Sequence, residues 1–506
     1  MLRFAYAIFA TPLILAACGC GGAFQTSATP NATATPLLRD ANGVSNIVPG
    51  RYIVVYRDGS LPASGTARAD IQIVQSMTLF GLTVQQTTST DDAATLALLS
   101  AQPNVEYVLH DRYVEGHQNT VIGTAPVRPI DPGADPADDL YRSPQGWAVL
   151  QAGGYGANIA GGPATGPWST TMGEGARIAV LDSGVDASHP DIAPNLALNL
   201  SEVDPAAFPS ACDDGSPQDQ QGHGTWTASL ATGAAGPGTG GVIGVAPQAT
   251  LLNIKVLQRV PTAVSGIVDG DINAGIAAQC SAGQTGGLLS WVLQGINDAI
   301  AAKADIVSLS LGSVVDLYSG DGAGWKTSFD RVTHAAAAAN VVLVAAVGND
   351  ALDLSGGRYI ELPAQARDVL PVVASTNPAC AENLAAGAVC AAGSITRAYY
   401  SNFGASLDAI AAPGGSFPNV SETGINGLVR GACSSTGCFN LGNSSYVQAM
   451  GTSASAPLVA GAAALLRAAH PAWTAAHIVA ALRSSATQTP AMAEPELNTA
   501  AALVAP

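Results

Sequence analysis

Four residues of this 506-residue chain could together do chemistry that none could do alone. Asp182 opens "DSGVDASHPDI" directly after an apolar run. His223 stands in "GHGTWTASLATGA", Asn349 ends "VVLVAAVGN", and Ser453 stands in "GTSASAPLVAGAAALL". A hydroxyl is a poor nucleophile at its own pKa and needs an adjacent base. Imidazole titrates near neutrality and suits that role. The imidazole in turn needs a carboxylate to fix its tautomer and stabilise the imidazolium. A tetrahedral intermediate carries an oxyanion, which an Asn amide and a backbone N–H at a helix start can hold. Singly, each residue has a plainer reading: Asp-Ser-Gly and Gly-Asn are common turns, and small residues around Ser453 let two backbones pack closely. As a set they are the parts of an acyl-transfer site, and the same small residues leave room for a substrate backbone.

The elements that must position them follow from the apolar pattern. "ARIAVLD", "TLLNIKVL", "DIVSLSLG", "VVLVAAVGN", "VLPVVAS" and "LDAIAAPG" are near-continuous apolar runs, as parallel strands buried on both faces require. Helical stretches lie between them; "GGLLSWVLQGINDAIAAKA" aligns Leu288, Leu289, Val292, Ile296 and Ile300 on one face. The alternation predicts an α/β fold, a doubly wound and mostly parallel sheet, with sites at the carboxyl ends of its strands. A smaller unit precedes it. "RYIVVY" alternates like a strand, "TARADIQIVQSM" reads as a helix, "LTVQQTT" as extended, "TDDAATLALLSA" as a helix and "NVEYVLHDRYVEG" as a strand. That order, β-α-β-α-β, predicts a small α+β open-faced sandwich. The expected division is a signal segment at 1–18, a low-complexity tether at 19–49, the sandwich at 50–115, a Pro/Asp/Gly-rich linker at 116–145 and the main domain at 146–506.

The order Asp, His, Ser differs from His-Asp-Ser of chymotrypsin and Ser-Asp-His of α/β-hydrolases, and Ser453 lacks the Gly-x-Ser-x-Gly frame of lipases. At this point the chain resembles the subtilisin-like serine proteases: "DSGVDASHPD", "GHGT", "GVAP", "KVL", "SLG", "SNFG", "AAPG" and "GTSASAPLVAG" occur in that family's order. The resemblance implies Asp182, His223 and Ser453 as the triad and Asn349 as oxyanion donor. It implies that Ser310, Leu311 and Gly312 pair with an extended substrate, and that Ala346, Val347 and Gly348 line the primary pocket. The apolar "AAVGN" strand then points to broad specificity with an apolar preference. The resemblance also makes 50–115 an inhibitory propeptide, with a processing site between 115 and 145. Two departures stand out. Ser290 and Trp291 match a pair that usually follows "KVL" closely, but more than 30 residues intervene here, so an insertion carrying Cys280 lies near the groove. Asp191 matches a calcium-ligating carboxylate; the loop "GAAGPGTGGVIG" offers no Asn or Asp beside it, so a structural calcium there would rely on backbone carbonyls. No cofactor is needed for the chemistry.

The totals bound the setting. A net charge of −17 with 20 Lys and Arg argues against nucleic acid and anionic membranes as partners; the resemblance implies polypeptide substrates and the chain's own propeptide instead. After Arg3 comes "FAYAIFATPLILAA", too short to span a bilayer and right for a signal-peptide core. It ends "LAAC", which resembles a bacterial lipobox with Cys18 lipidated. The expectation is an exported bacterial protein, extracellular or a lipoprotein of the periplasm or outer membrane, touching membrane only through that anchor. Eight cysteines fit an oxidising compartment. Cys380 with Cys390 and Cys433 with Cys438 are close enough to staple single loops, and Cys212 and Cys280 could form a third bridge. Sequence alone leaves the connectivity open.

Overall fold

The computed structural model describes residues 47–59, 61–62, 70–116, 120–124, 146–153, 166–235, 241–261, 280, 283–318, 320–377, 395–416, 427–438 and 445–506. The first segment carries β1 (Ile47–Tyr56), β2 (Ile71–Met77), β3 (Leu82–Thr87), α1 (Asp92–Ser100) and β4 (Val105–Gly116). Its strands form an antiparallel sheet in the order β4-β1-β3-β2. Along β1, alternate residues serve two cores. Tyr52, Val54 and Tyr56 pack with Leu99 of α1, while Ile53 and Val55 pack against the domain that follows. The expected helix in "TARADIQIVQSM" is corrected. Ile71–Met77 is a strand paired antiparallel with β3, with only Ile71 and Met77 buried at its ends. Ile71, Ile73 and Val74 are β-branched and suit a half-buried pleated edge better than a helix. The order is therefore β-β-β-α-β.

The rest of the chain begins with β5 (Thr120–Thr124), α2 (Trp147–Gly153), β6 (Arg177–Asp182), β7 (Leu196–Ser201), α3 (His223–Thr232) and β8 (Thr250–Lys255). There follow β9 (Leu257–Val260), β10 (Gln284–Leu288), α4 (Leu289–Ala301), β11 (Ile306–Leu309), β12 (Leu311–Asp316), α5 (Gly322–Ala338), β13 (Val342–Ala346), β14 (Tyr359–Leu362) and β15 (Val369–Thr376). The last elements are β16 (Thr396–Arg397), β17 (Ile410–Pro413), β18 (Val429–Ala432), β19 (Tyr446–Met450), α6 (Thr452–Ala469), α7 (Ala475–Ser485) and α8 (Thr499–Leu503). Seven strands run in the order β7-β8-β6-β11-β13-β15-β17, every neighbouring pair parallel. Successive residues point to opposite faces. Ile178 and Val180 of β6 pack with α3 and α6, whereas Ala179 and Leu181 pack with α4 and α5. That two-sided burial is why the strands read as unbroken apolar runs, and it makes the sheet doubly wound.

The described ends of the insertion after "KVL" are two strands, β9 and β10. They pair antiparallel, and the Cys212–Cys280 disulfide (Cα–Cα 5.3 Å) fastens the insertion to the loop after β7. Leu288, expected on the helix face, is the last residue of β10; the helix itself starts at Leu289.

Candidate active site

Asp182 is the final residue of the central strand β6 and is fully buried. Its Oδ1 accepts from His223 Nδ1 at 2.6 Å and from Ser183 N at 2.7 Å, and its Oδ2 accepts from Thr227 Oγ1 at 3.0 Å. His223 is the first residue of α3. The Asp182 carboxylate can only accept, so Nδ1 carries the proton of that bond and Nε2 is the ring's other nitrogen. That atom is buried and makes no hydrogen bond among the described residues.

Ser453 is the second residue of α6. The helix opens at Gly451, whose φ of 157° and ψ of 160° a side chain would disfavour. Thr452 donates to Asn349 Oδ1 from its N–H (2.9 Å) and its hydroxyl (3.0 Å). A backbone N–H can only donate, so the Asn349 amide is fixed with its Nδ2 turned the other way. Pro457 lies four residues after Ser453 and has no N–H, which frees the Ser453 carbonyl from the helix. Ser310 Oγ donates to that carbonyl at 3.0 Å, and Ser453 Oγ donates to Ser310 O at 3.3 Å. The structure thus joins Asp182 to His223 and Ser453 to Ser310. The hydroxyl gives its one proton to Ser310 O, and no hydrogen bond joins Ser453 to His223.

The expected substrate strands are occupied by the chain itself. The end of β4 runs between β10 and β12, antiparallel to both. Glu115 sits opposite Gly286 on one side and Gly312 on the other, and Gly116 sits opposite Leu311. Past residues 117–119, β5 pairs with β19, Thr120 opposite Met450, two residues before α6 begins. Ala346 ends β13, and Val347 and Gly348 follow it, all buried.

Several supporting residues lie outside the motifs. Asn402 Oδ1 accepts from Asp350 N and Leu352 N, both at 2.9 Å, and its Nδ2 donates to Val347 O at 2.8 Å, which pins the turn carrying Asn349. Asp219 is fully buried four residues before His223. It accepts from Ser183 Oγ, Gln221 N, Gly222 N, Thr225 N and Thr225 Oγ1, tying the Asp182 turn to the start of α3. Burial pushes its carboxyl above the ordinary 3.8 despite these donors. The Cys433–Cys438 disulfide (Cα–Cα 6.0 Å) closes a loop that presses on the same turn. A Cβ on Gly222 would lie 3.0 Å from Cys438 Sγ and 3.1 Å from Cys433 Sγ. Ser434 and Thr436 hydroxyls both donate to Asp219 O, and Ser435 donates to Asp186 from its N–H and hydroxyl. Burial pushes Asp186 up, but the Ser188 and Ser435 donors outweigh it and bring the carboxyl to about 2. Spacing gives no hint of these contacts, since the loop and the turn are separated by about 200 residues. Cys18, Cys20, Cys380 and Cys390 lie outside the described residues.

Asp191 is buried. Its Oδ2 accepts from Val242 N at 2.9 Å, and its carbonyl accepts from Ala234 N at 2.9 Å. Among the described residues no three His, Cys, Asp or Glu side chains gather as a metal site.

Comparison with known proteins fits this geometry. The subtilase family model matches residues 173–501. Subtilisin E of Bacillus subtilis (strain 168) is 31% identical over 315 residues, covering 62% of this chain and 61% of that protein. An extracellular protease of Xanthomonas campestris is 26% identical over 485 residues, 87% of this chain and 69% of that protein. The chain spans only 44% to 61% of the length of several curated relatives it matches. Among solved structures, the epidermin leader peptide processing serine protease of Staphylococcus aureus has a TM-score of 0.60 at 18% identity, covering 91% of this chain and 98% of that one. Fervidolysin from Fervidobacterium pennivorans has a TM-score of 0.59 at 20% identity, covering 93% of this chain and 62% of that one. At such identities these are likenesses of fold.

Proposed function

Because the chain belongs to the subtilase family, we propose that it is an exported serine endopeptidase that hydrolyses peptide bonds and is made as a self-processing zymogen. One observation carries the reading: the end of β4 pairs with β10 and with β12, the strand that follows Ser310, and Ser310 exchanges hydrogen bonds with the helix-start Ser453. In the reaction, Ser453 Oγ attacks the peptide carbonyl carbon as His223 Nε2 takes its proton. Asp182 holds the ring and stabilises its charge. The oxyanion lies between Asn349 Nδ2 and the Ser453 N–H at the positive end of α6. His223 returns the proton to the leaving amine, and water repeats the sequence on the acyl-enzyme. No metal or cofactor takes part.

Residues 50–115 act as propeptide, with the end of β4 held in the groove by backbone pairing, a form of strand addition. Long-range parallel sheets form slowly, and a pre-formed sheet against α4 and α5 favours their assembly. The expected processing window, 115–145, lies mostly outside the described residues. The pairings of Gly116 and Thr120 on its two flanks support cleavage between them. Residues 1–18 serve as signal with a lipidated Cys18, and 19–49 as tether. The extracellular relative of Xanthomonas campestris supports export. No helix among the described residues is long and apolar enough to cross a membrane.

The test is expression of wild type and Ser453→Ala side by side with N-terminal sequencing. Wild type should begin between residues 117 and 120, and the variant should keep its full post-signal length. Cleavage at the same bond in the pure variant would refute self-processing. Radiolabelled palmitate should follow the protein and be lost with Cys18→Ser; no label on the wild type would refute the anchor.

A further inference from the structure

Arg259 belongs to the insertion after "KVL". It is the third residue of β9 and is 3% exposed. Its backbone fixes its place: the N–H donates to Asp213 Oδ2 at 2.9 Å, and the carbonyl accepts from Ser210 Oγ. It sits opposite Thr285 of β10, whose Oγ1 accepts from the N–H of Gly116, the last residue of β4. A guanidinium is costly to bury unless its charge and its donors are met. Burial lowers the pKa of this one below 12.5, and the carboxylates of Asp219 and Asp213 oppose that shift.

The side chain is spent on two carbonyls. Arg259 Nη1 donates to Gln220 O at 2.9 Å and to Gly437 O at 3.3 Å. Gln220 stands three residues before His223, and Gly437 lies in the loop closed by Cys433 and Cys438. One nitrogen therefore clasps the turn before the histidine to that loop. The two segments already touch, since a Cβ on Gly437 would lie 2.4 Å from Gly222 N. Lys255, fully buried, acts alike two residues earlier. Its Nζ donates to Gln218 O at 2.9 Å and to the two Asp213 oxygens at 2.8 and 2.9 Å. Asp219 gathers N–H donors of this turn, and Lys255 and Arg259 take alternate carbonyls. These holds matter because Gly222, the N-cap of α3 at φ 105°, has no side chain to cap the helix. The placing of His223 falls to the turn and to what grips it.

We infer that Arg259 is a positioning residue for the proposed hydrolysis: it holds the Gln220 carbonyl, and through the turn the His223 ring, where Nε2 can take the proton of Ser453. The inference rests on the protease reading above. Proton transfer needs base and hydroxyl within hydrogen-bond reach, and small misplacements cost much of the rate. The motif "GHGT" does not supply this hold. A residue of the insertion does, from the strand whose partner β10 also grips Gly116.

The experiment measures kcat and KM of the processed protein on a peptide nitroanilide with Phe before the cleaved bond. Enzyme concentration is set by titration of the reactive serine, so an unfolded fraction does not enter. Arg259→Ala should lower kcat about 10²-fold, the cost of misplacing a reacting group by about 1 Å, with KM little changed. Arg259→Lys should lie between that variant and the wild type, because it keeps the charge and loses the planar fork. Guanidinium ion, at concentrations that leave wild-type kcat unchanged, should restore part of the kcat of Arg259→Ala by taking the place of the lost group. A purely structural loss would not be recovered in this way. An unchanged kcat in Arg259→Ala, a loss confined to KM, or no recovery with guanidinium would overturn the inference while leaving the protease reading intact. If Arg259→Ala does not fold, Arg259→Lys carries the test, and a kcat equal to that of the wild type would overturn the inference. Hydrolysis of no peptide by the wild type would instead sink the protease reading.

Discussion

Asp111 joins the N-terminal sheet to the protease domain through buried bonds, and its loss can be worked through in numbers. The carboxylate is 0% exposed and pairs with Arg51 Nε at 2.8 Å, itself 2% exposed. It also accepts from Ser290 N at 3.0 Å and Ser290 Oγ at 2.6 Å. The second set matters because the residue at the N-cap of α4 is Leu288, whose side chain cannot cap it. Asp111 caps that helix from another strand. Asp111→Ala strands a buried guanidinium, a loss of about 3–5 kcal/mol. It also removes a cap, about 1 kcal/mol more. The sum, about 4–6 kcal/mol, corresponds to about 10³–10⁴ in the equilibrium that keeps the sheet folded against the protease. The assay is urea unfolding of the full chain in the Ser453→Ala background, where no self-cleavage intervenes. A double-mutant cycle with Ser290→Ala then isolates the link between the two parts. A loss below about 1 kcal/mol, the scale of an exposed pair, would refute the reasoning.

His110 sits between Asp321 of the protease part (Nδ1 to Oδ2, 2.7 Å) and Asp92 of α1 (Nε2 to Oδ1, 2.9 Å), with Tyr52 beside its ring and Arg112 nearby over Trp325. The Asp321 bond, more than burial opposes it, raises its pKa above 6.5. A raised pKa means that stability is present in full below 6.5 and is lost as pH climbs through the raised value. Ser453→Ala precursor should therefore unfold more readily in mildly alkaline than in mildly acidic buffer, and His110→Gln should flatten that difference in a pH series of melting temperatures. Removing the staple with Cys433→Ser and Cys438→Ser should loosen the turn before His223 and lower kcat up to about 10²-fold with little change in KM. Unchanged steady-state kinetics in the folded variant would deny the loop any hold on the histidine. Asn349→Ala should cost about 10²–10³ in kcat, the scale of one oxyanion donor known from subtilisin.

The motifs made much of the site legible because each reactive residue must stand at a strand end or helix start, and such positions carry their own glycine and apolar signatures. Asp182 closes an apolar run, and Ser453 stands two residues after Gly451, the glycine at the helix entry. The parallel sheet was legible for the same reason, since strands buried on both faces lose their polar alternation. What stayed hidden depends on contacts between distant segments. β2 was misread because its seven residues mix Ile and Gln in a pattern that fits either period. Asp219, Asn402 and Asp111 act through backbone groups far away in sequence, and no local spacing marks them.

The most direct measurement is labelling of the processed protein with a serine-directed phosphonofluoridate, followed by peptide mapping. The expected result is one label, on Ser453, formed in step with loss of peptidase activity and slowed by orders of magnitude in His223→Ala. Label on another serine, or full activity with Ser453 replaced by Ala, would contradict the assignment of Ser453 as the nucleophile.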